Sequence, residues 1–302
     1  MLKDQVDQKA VVPMFKLVLR HALVACGVLS VSVFVVGAHV AAQSVSPPDL
    51  SPSSNVGWIS SGTLGFGFMP PESGPGPVMD DPAHPLVRNT AFYESTGQQP
   101  TFPIADLNSP ILQPWVREEL RKRNERILSG GNGSGPHQSC WPVGTPALLL
   151  RAAQPIFFVQ TPEKVLMIWQ NYHQVRHFYL NVPHSANPKP SWFGESVGRY
   201  EGDSLVVDTI AMNTRTVVDD YLTPHSDKLH VEERFRLIDH GATLEIDVHV
   251  EDPVAFTTPW NAIIRWKRLE SDPIIEATCA ENPNNYFNVD MQPIPQDDTP
   301  DF

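Results

Sequence analysis

The chain has 302 residues, a net charge of −12 at neutral pH and an isoelectric point near 5.3. An acidic chain with no Lys/Arg-rich run outside one short segment does not attract a polyanion, which excludes nucleic acid as a partner. Once a leader is removed, roughly 260 residues are enough for one β domain with extensions or for two small domains.

Residues 1–42 have the organisation of a signal peptide. Basic residues precede an apolar run over residues 22–38, and small residues follow it up to Ala42, which is the order of the charged, apolar and cleavage regions. We predict cleavage after Ala42 and a periplasmic or secreted mature protein. The alternatives are an uncleaved membrane anchor, because the run nearly reaches spanning length, and a lipoprotein acylated at Cys26, although most of the run follows that cysteine.

Residues 43–108 are rich in Pro, Ser and Gly, a composition typical of a linker or an extended arm. Within them, residues 57–70 are more apolar and predict either a short edge strand or an arm packed on the main domain. A leading helix follows over residues 109–130. Ser109 is a candidate cap with Pro110 in the first turn, and a glycine pair ends the helix.

The chain is β-rich from Pro155 onward, and short connections join the predicted strands. Such a series predicts a mainly β domain over residues 109–285, followed by a tail over residues 286–302. We expect an antiparallel up-and-down meander that closes into a lipocalin-like barrel, with a β-sandwich as the alternative. The predicted strands are Ile156–Gln160, Lys164–Gln170, Gln174–Leu180, Val197–Tyr200, Ser204–Ile210, Leu229–Ile238, Thr243–Glu251 and Ala262–Arg268.

One carboxylate breaks the clearest strand pattern. Apolar and polar residues alternate from Leu229 to Leu237, as in a strand with one face on a core. Glu233 lies on the apolar face, where a carboxylate must be paired, hydrogen-bonded or protonated. It is either a structural ion pair, with Arg199 as the candidate partner, or a site carboxyl with a raised pKa that is suited to proton transfer.

His225 lies in the connection before that strand, at one mouth of the predicted barrel. Together with Glu233 it is the candidate acid–base pair of an enzyme that works without a cofactor. Its alternative role is a loop residue bonded to the backbone. Aromatic walls with a few polar groups also describe a pocket for a small molecule. The candidate ligand-binding residues are Arg199, Arg234, Trp192 and Trp260.

The sequence patterns give less support to a metal site or to a nucleophilic serine. His173 and His177 have a helical zinc spacing, but on a strand they stand about 13 Å apart. The segment around Ser196, GESVG, fits the nucleophile pattern and lacks its strand–elbow–helix context. We predict no metal and no cofactor.

Several segments together resemble a large group of exported bacterial proteins whose biochemical role is largely unassigned. They are CWPVGTP, PSWFGESVGRYEGDSLVVDT, PHSDKLHVEERFR, VEDPVAFTTPW and CAEN, and the resemblance covers residues 112–285. The resemblance implies one exported domain in which Cys140 and Cys279 are recurring positions. This chain departs at Asn181–His184, where relatives tend to carry an acidic and a basic residue before a His-Pro pair.

Two cysteines, Cys140 and Cys279, remain after the leader is removed. In an oxidising compartment they predict one disulfide, and the alternative is two buried thiols. The sequence as a whole favours a binding module for a small apolar or aromatic molecule in a barrel pocket. The alternatives are a cofactor-independent isomerase, lyase or hydrolase, and an envelope scaffold.

Overall fold

The computed structural model describes residues 46–60, 67–88, 91–135, 140–170, 174–270 and 274–276. Nine strands form a closed barrel in which neighbours in the ring follow one another in the chain, so the predicted mainly β barrel is confirmed. Two helices, α1 (Ala91–Thr96) and α2 (Pro114–Leu128), precede the second strand. The strands are β1 (Val56–Ser60), β2 (Ile156–Gln160), β3 (Lys164–Trp169), β4 (Gln174–Leu180), β5 (Glu195–Glu201), β6 (Ser204–Ile210), β7 (His230–Ile238), β8 (Thr243–Glu251) and β9 (Trp260–Glu270). The predicted leader over residues 1–42 and the tail over residues 286–302 lie outside the described residues.

The strand directions correct the predicted antiparallel meander at one joint. Strands β4 and β5 run parallel, with Phe178 opposite Ser196 and Leu180 opposite Gly198. The other neighbouring pairs are antiparallel. A parallel joint requires the chain to return to the end of the barrel where β4 began, and residues 181–194 make this return.

The apolar segment of the N-terminal arm contributes a strand of the ring. Strand β1 pairs with β9 along its whole length and meets β2 at Trp58. Val56 and Trp58 are each 1% exposed, and the Trp58 indole N–H donates to the Leu50 carbonyl at 2.9 Å. Further along the arm, the backbone of Met69 pairs with β9 in an isolated bridge. This segment therefore closes the barrel and is not an edge strand.

Helix α2 begins at Pro114, so the predicted start at Ser109 is wrong. The preceding residues form a turn and an isolated bridge to the β8–β9 connection, where the Thr257 N–H donates to the Ile111 carbonyl at 2.8 Å and the Gln113 N–H donates to the Ala255 carbonyl at 3.1 Å. Proline suits the first helical position because its missing N–H has no partner there in any case. The buried face of α2 carries Val116, Leu120 and Asn124.

The inward side chains fill the barrel. The ring centroids of Phe158 and Phe178 lie 6.1 and 5.8 Å from that of Phe235, and their neighbours on the inner face are buried. The long connections β1–β2, β6–β7 and β8–β9 all emerge at one end of the barrel, which we call the capped end. There a short 3-10 helix, Ala147–Arg151, is bound through Trp266, whose indole N–H donates to Leu149 at 3.2 Å. Tight hairpins occupy the opposite end, which we call the hairpin end.

Candidate functional site

Glu233 is buried in the barrel and paired with Arg176. The exposed fractions of the Arg176 and Glu233 side chains are 1% and 0%. Arg176 Nη1 donates to Glu233 Oε1 at 2.8 Å, and Nη2 donates to Oε2 in a two-pronged contact. The ion pair was predicted with Arg199, and that partner is wrong. Arg199 points outward because Ser196 and Gly198 are the inward residues of β5.

Two hydroxyl groups complete the surroundings of this pair. Arg176 Nη2 donates to Thr209 Oγ1 at 2.9 Å, and its Nε and Nη2 approach Ser196 Oγ at 3.3 and 3.2 Å. The two hydroxyl oxygens lie 2.9 Å apart. Buried charges are stable when they are paired and hydrogen-bonded, as here. Ser196 therefore lies within strand β5 as a neighbour of Arg176, without the strand–elbow–helix context of a nucleophile.

His225 lies in the β6–β7 connection and is 3% exposed. Its Nδ1 lies 2.8 Å from the Ser226 carbonyl oxygen and its Nε2 lies 2.7 Å from Thr216 Oγ1. Burial lowers the pKa of the imidazole. The Ser226 carbonyl can only accept, so Nδ1 donates to it. The single Thr216 hydroxyl proton is within reach of both His225 Nε2 and the Asn213 carbonyl, at 2.7 and 2.8 Å. Both ring nitrogens are engaged, and no hydrogen bond or ion pair among the described residues joins His225 to Glu233.

The two candidate tryptophans lie in different environments. Trp260 is the first residue of β9 and is 1% exposed; its ring centroid lies 6.1 Å from that of Phe68. Trp192 is half-buried and meets Trp141 edge to face, with centroids 5.1 Å apart. The Arg215 guanidinium carbon lies 4.8 Å from the Trp192 centroid and 5.3 Å from that of Trp141. Such cation–π contacts fix the arginine between the two rings.

Arg199 and Arg234 share one carboxylate on the outer face of the barrel. Arg199 Nε lies 2.6 Å from Glu201 Oε1, and Arg234 Nη2 lies 2.9 Å from Glu201 Oε2. The hydrogen bonds from Arg234 and Arg199 lower the pKa of Glu201. Arg234 also lines an open groove of about 380 Å³ with Asp247 and His249. These arginines do not meet the predicted tryptophans or His225 in one pocket.

A cleft that the sequence patterns did not indicate lies at the capped end. We call it the arm–helix cleft; its volume is about 440 Å³. The N-terminal arm forms one wall, while α2, the segment after α2 and the β6–β7 connection form the others. Apolar and proline side chains make up much of the lining. The lining residues are Leu86, Val87, Arg88, Pro100, Thr101, Phe102, Pro103, Arg123, Gly133, Ser134, Gly135, Arg151, Ala153, Asp220 and Leu222.

A second, smaller cavity of about 200 Å³ shares part of this wall, and we call it the inner lobe. Leu86, Arg88, Pro103 and Asp220 line both spaces. The inner lobe adds aromatic and sulfur-containing side chains from the arm and from the β6–β7 connection. Those residues include Phe68, Met69, Met79 and Tyr221.

The inner lobe also contains acidic groups. Asp219 is 3% exposed and accepts from the Tyr221 N–H at 2.9 Å, from the Thr223 N–H at 3.0 Å and from the Thr223 hydroxyl at 2.7 Å. Burial outweighs these bonds and raises the pKa of Asp219 to about 6. The Tyr221 hydroxyl donates to Asp80 Oδ1 at 2.8 Å, and burial together with the charge of Asp80 raises the pKa of this phenol.

Two arginines project from the cleft wall. Arg123 Nη1 and Nη2 donate to the Pro103 and Gly133 carbonyls, each at 2.7 Å. Burial lowers the pKa of Arg123 to about 10, so the side chain remains a cation at neutral pH. Arg151 Nη2 lies 3.0 Å from Asp220 Oδ1.

Histidines and carboxylates alternate on the outer face near the capped end. His184 joins Glu195 and Asp208 at 3.0 and 2.6 Å, and His230 Nε2 lies 2.8 Å from Asp208 Oδ2. Burial would raise the pKa of Asp208, but the bonds from His230 and His184 outweigh it, and the pKa is lowered. The hydrogen bond to Asp208 raises the pKa of His230. In the described part of the chain, no group of three or more His, Cys, Asp or Glu is arranged to hold a metal ion.

The predicted disulfide falls partly outside the described residues. Cys140 is described, with φ of +66°, and Cys279 is not. The pairing of Cys140 with Cys279 therefore stays a prediction.

Comparisons with known proteins found no matching family model, no matching curated protein and no matching solved structure. Within the described residues, no helix combines the length and the apolar character that a membrane crossing requires.

Proposed function

We propose that the mature chain is an exported binding module for a small, mainly apolar or aromatic molecule, and that its site is the arm–helix cleft with the inner lobe. The observation that carries the proposal is a cavity of about 440 Å³ with a largely apolar wall and a few polar groups. Small-molecule sites have this size and composition. The resemblance to exported bacterial proteins and the leader pattern support the periplasmic or secreted location.

The position of the cleft favours a binding role. Its walls come from the arm, helix α2, the segment after α2 and the β6–β7 connection. These segments are far apart in sequence and rest on the capped end of a rigid barrel. Loops held by a rigid scaffold commonly carry binding sites. The barrel interior is filled by its own side chains, so we place the ligand over the capped end instead of inside the ring.

The acid–base enzyme receives less support from the contacts. Arg176 binds both carboxylate oxygens of Glu233 in the core, so this carboxylate is engaged as an ion pair. His225 is bonded at both ring nitrogens in a separate connection. A substrate would have to displace buried partners to reach either group. The envelope scaffold needs no cleft and leaves this cavity without a role.

A fluorescence titration with phenylnaphthylamine, an uncharged aromatic probe, tests the proposal on the mature protein. Ala153 lines the cleft and is exposed, so Ala153→Trp places an indole in the cavity without disturbing the core. Ala242 is an exposed residue in the β7–β8 connection at the hairpin end, and Ala242→Trp is the matched control.

We expect saturable binding by the native protein and by Ala242→Trp, and at least about a tenfold loss in Ala153→Trp, which corresponds to 1.4 kcal/mol. Equal binding by all three proteins would refute the cleft as the site. A native mass spectrum of the exported protein would identify any ligand that remains bound during purification.

A further inference from the structure

We propose that the natural ligand carries one anionic group, of the carboxylate type, which Arg123 and Arg151 bind at the wall of the arm–helix cleft. This inference rests on the proposed function and specifies the chemical class of the ligand. It assigns the polar end of the molecule to the two guanidinium groups and its apolar body to the remaining lining.

Arg123 has donors to spare. A guanidinium carries five N–H groups, and Arg123 uses its Nη1 and Nη2 for one carbonyl each, Pro103 and Gly133. Its Nε is buried and has no acceptor among the described residues. Carbonyl oxygens are uncharged, so these bonds hold the side chain in position without neutralising it. Among the described residues no carboxylate forms an ion pair with Arg123, although the charges of Asp219 and Asp220 act on it from a greater distance. The position is thus fixed before any ligand arrives.

Arg151 forms an ion pair with Asp220, but the geometry of this contact is not that of a good hydrogen bond. Its Nη2 lies 3.0 Å from Asp220 Oδ1, and the side chain is 21% exposed. Within the part of the chain that the structure describes, that oxygen is buried and forms no hydrogen bond of normal geometry, and Arg151 Nε is likewise buried without an acceptor. The contact is therefore an ion pair and not the two-pronged arrangement that arginine forms with a well-oriented carboxylate.

The balance of charge along the cleft wall favours an anion. Among the described lining residues, Arg123 and Arg151 stand against the single carboxylate of Asp220. The chain as a whole has a net charge of −12, so this cluster of cations is opposite in sign to the rest of the molecule. A cleft lined by one sign of charge with low-dielectric walls concentrates ligands of the opposite charge.

The inner lobe limits the ligand to one anionic group. Asp80 and Asp219 line that space, and Tyr221 already donates its hydroxyl to Asp80. A second negative charge in the inner lobe would meet these carboxyl groups and be repelled. Phe68 and Tyr221 instead suit an apolar or aromatic body. The expected ligand is an aromatic or aliphatic monocarboxylic acid.

Two related probes separate this inference from the proposed function. Anilinonaphthalene sulfonate and phenylnaphthylamine share an aromatic skeleton, and the first carries an anionic sulfonate that stands in for the carboxylate. Both are titrated against the native mature protein, Arg151→Gln and Arg199→Gln. Arg199 is an exposed arginine of β5 outside the cleft, bonded to one glutamate, so it matches Arg151 in charge and in partner type.

We expect the native protein to bind the sulfonate probe more tightly than the neutral one. Arg151→Gln should lose affinity for the sulfonate probe by about ten- to hundredfold, as expected when one charge-assisted contact is removed. Its affinity for the neutral probe should change by less than about twofold, on the same scale of free energy. Arg199→Gln should bind both probes as the native protein does.

Each other outcome overturns a defined part of the reasoning. If the neutral probe binds in the cleft and Arg151→Gln binds both probes like the native protein, the anionic ligand class is wrong and the apolar binding site stands. If neither probe binds in a saturable way, the proposed function fails together with this inference. Thermal unfolding checks that each variant is folded. If Arg151→Gln is not, the double variant Arg151→Gln/Asp220→Asn removes both charges of the pair and is titrated in its place.

Discussion

Replacing Glu233 by glutamine tests the role of the buried ion pair directly. Glu233→Gln keeps the shape of the side chain and removes its charge, so Arg176 remains in the barrel as a cation without a counter-charge. One amide oxygen still accepts a hydrogen bond, and Ser196 and Thr209 still contact the guanidinium. These neutral oxygens do not replace a carboxylate that binds two nitrogens of the guanidinium.

The expected loss is large relative to the stability of a domain. Removing one partner of a buried ion pair lowers the free energy of unfolding by about 3–5 kcal/mol. The exposed fractions of 1% for Arg176 and 0% for Glu233 place this pair in that class. The free energy of unfolding of a typical domain is about 5–15 kcal/mol in total. In the double variant Arg176→Met/Glu233→Gln, no charge remains buried, and the loss should be at least about 2 kcal/mol smaller than the sum of the two single losses.

Urea denaturation of the mature protein provides the measurement, because a shift of the midpoint at constant slope reports a change in stability alone. Glu232→Gln is the matched control. Glu232 is the neighbouring residue on the outer face of β7. Glu232→Gln should lower the free energy of unfolding by no more than about 0.5 kcal/mol. A loss below about 1 kcal/mol for Glu233→Gln, or strict additivity in the double variant, would falsify the ion-pair assignment.

Two further predictions concern stability. Gly144 has φ of +84° and an added Cβ would overlap Thr216, whereas Gly130 has φ of +91° and open space around it. Gly144→Ala should therefore lower the free energy of unfolding by about 2–4 kcal/mol and Gly130→Ala by about 1 kcal/mol, as measured by urea denaturation. His230 has a pKa raised above 6.5, so its pairing with Asp208 stabilises the fold below that pH and is lost as the pH rises through the folded pKa. The free energy of unfolding, measured by urea denaturation, should be higher near about pH 6 than near about pH 8, by at most about 1 kcal/mol for this partly exposed pair. His230→Gln should reduce this difference.

The contrary results are specific. Equal losses for the two alanine variants would show that the fold accommodates a side chain at Gly144, and would remove the close approach to Thr216 as a constraint. An unchanged pH difference in His230→Gln would assign that difference to other groups.

The pKa of Asp208 is lowered, so the stabilisation that its carboxylate contributes persists until the pH falls below about 3.8.

Alternation predicted the strands well where one face meets the core and the other meets water. In β7, Val231 and Phe235 are buried and the residues between them lie on the outer face, apart from Glu233. The same pattern in β4 places Arg176 and Phe178 inside. Arg176 was a second polar residue on an inward face, and it was the signal for the true partner of Glu233.

The alternation of apolar and polar residues did not indicate that two neighbouring strands run parallel. The odd number of strands in the ring requires it. Eight strands alternate in direction around a closed ring, but β1 adds a ninth, and an odd ring requires one parallel neighbour. That joint falls between β4 and β5. Strand β1 is five residues long and lies in a Pro-rich segment, so local sequence gave it little weight.

The arm–helix cleft had no local signature. Its walls come from segments that meet only through tertiary packing, such as the arm at Pro103 and the helix at Arg123. Arg123 belongs to a charged helix whose pattern indicates a solvated surface, and Asp220 belongs to a loop. Periodicity reports which face of an element is buried, but it does not report what distant segments place opposite that face.

The pairing of β1 with β9 has a consequence for how the chain folds. Val56 lies opposite Glu270, so β1 cannot form its pairing with β9 until the end of the barrel sequence has been synthesised. Until β9 emerges, β1 presents an unpaired edge and the neighbouring strands form an open, curved sheet. Contacts this distant in sequence slow folding. The final closure of the barrel is therefore a late event that depends on nearly the whole chain, and a truncation before residue 260 would leave a sheet with two exposed edges.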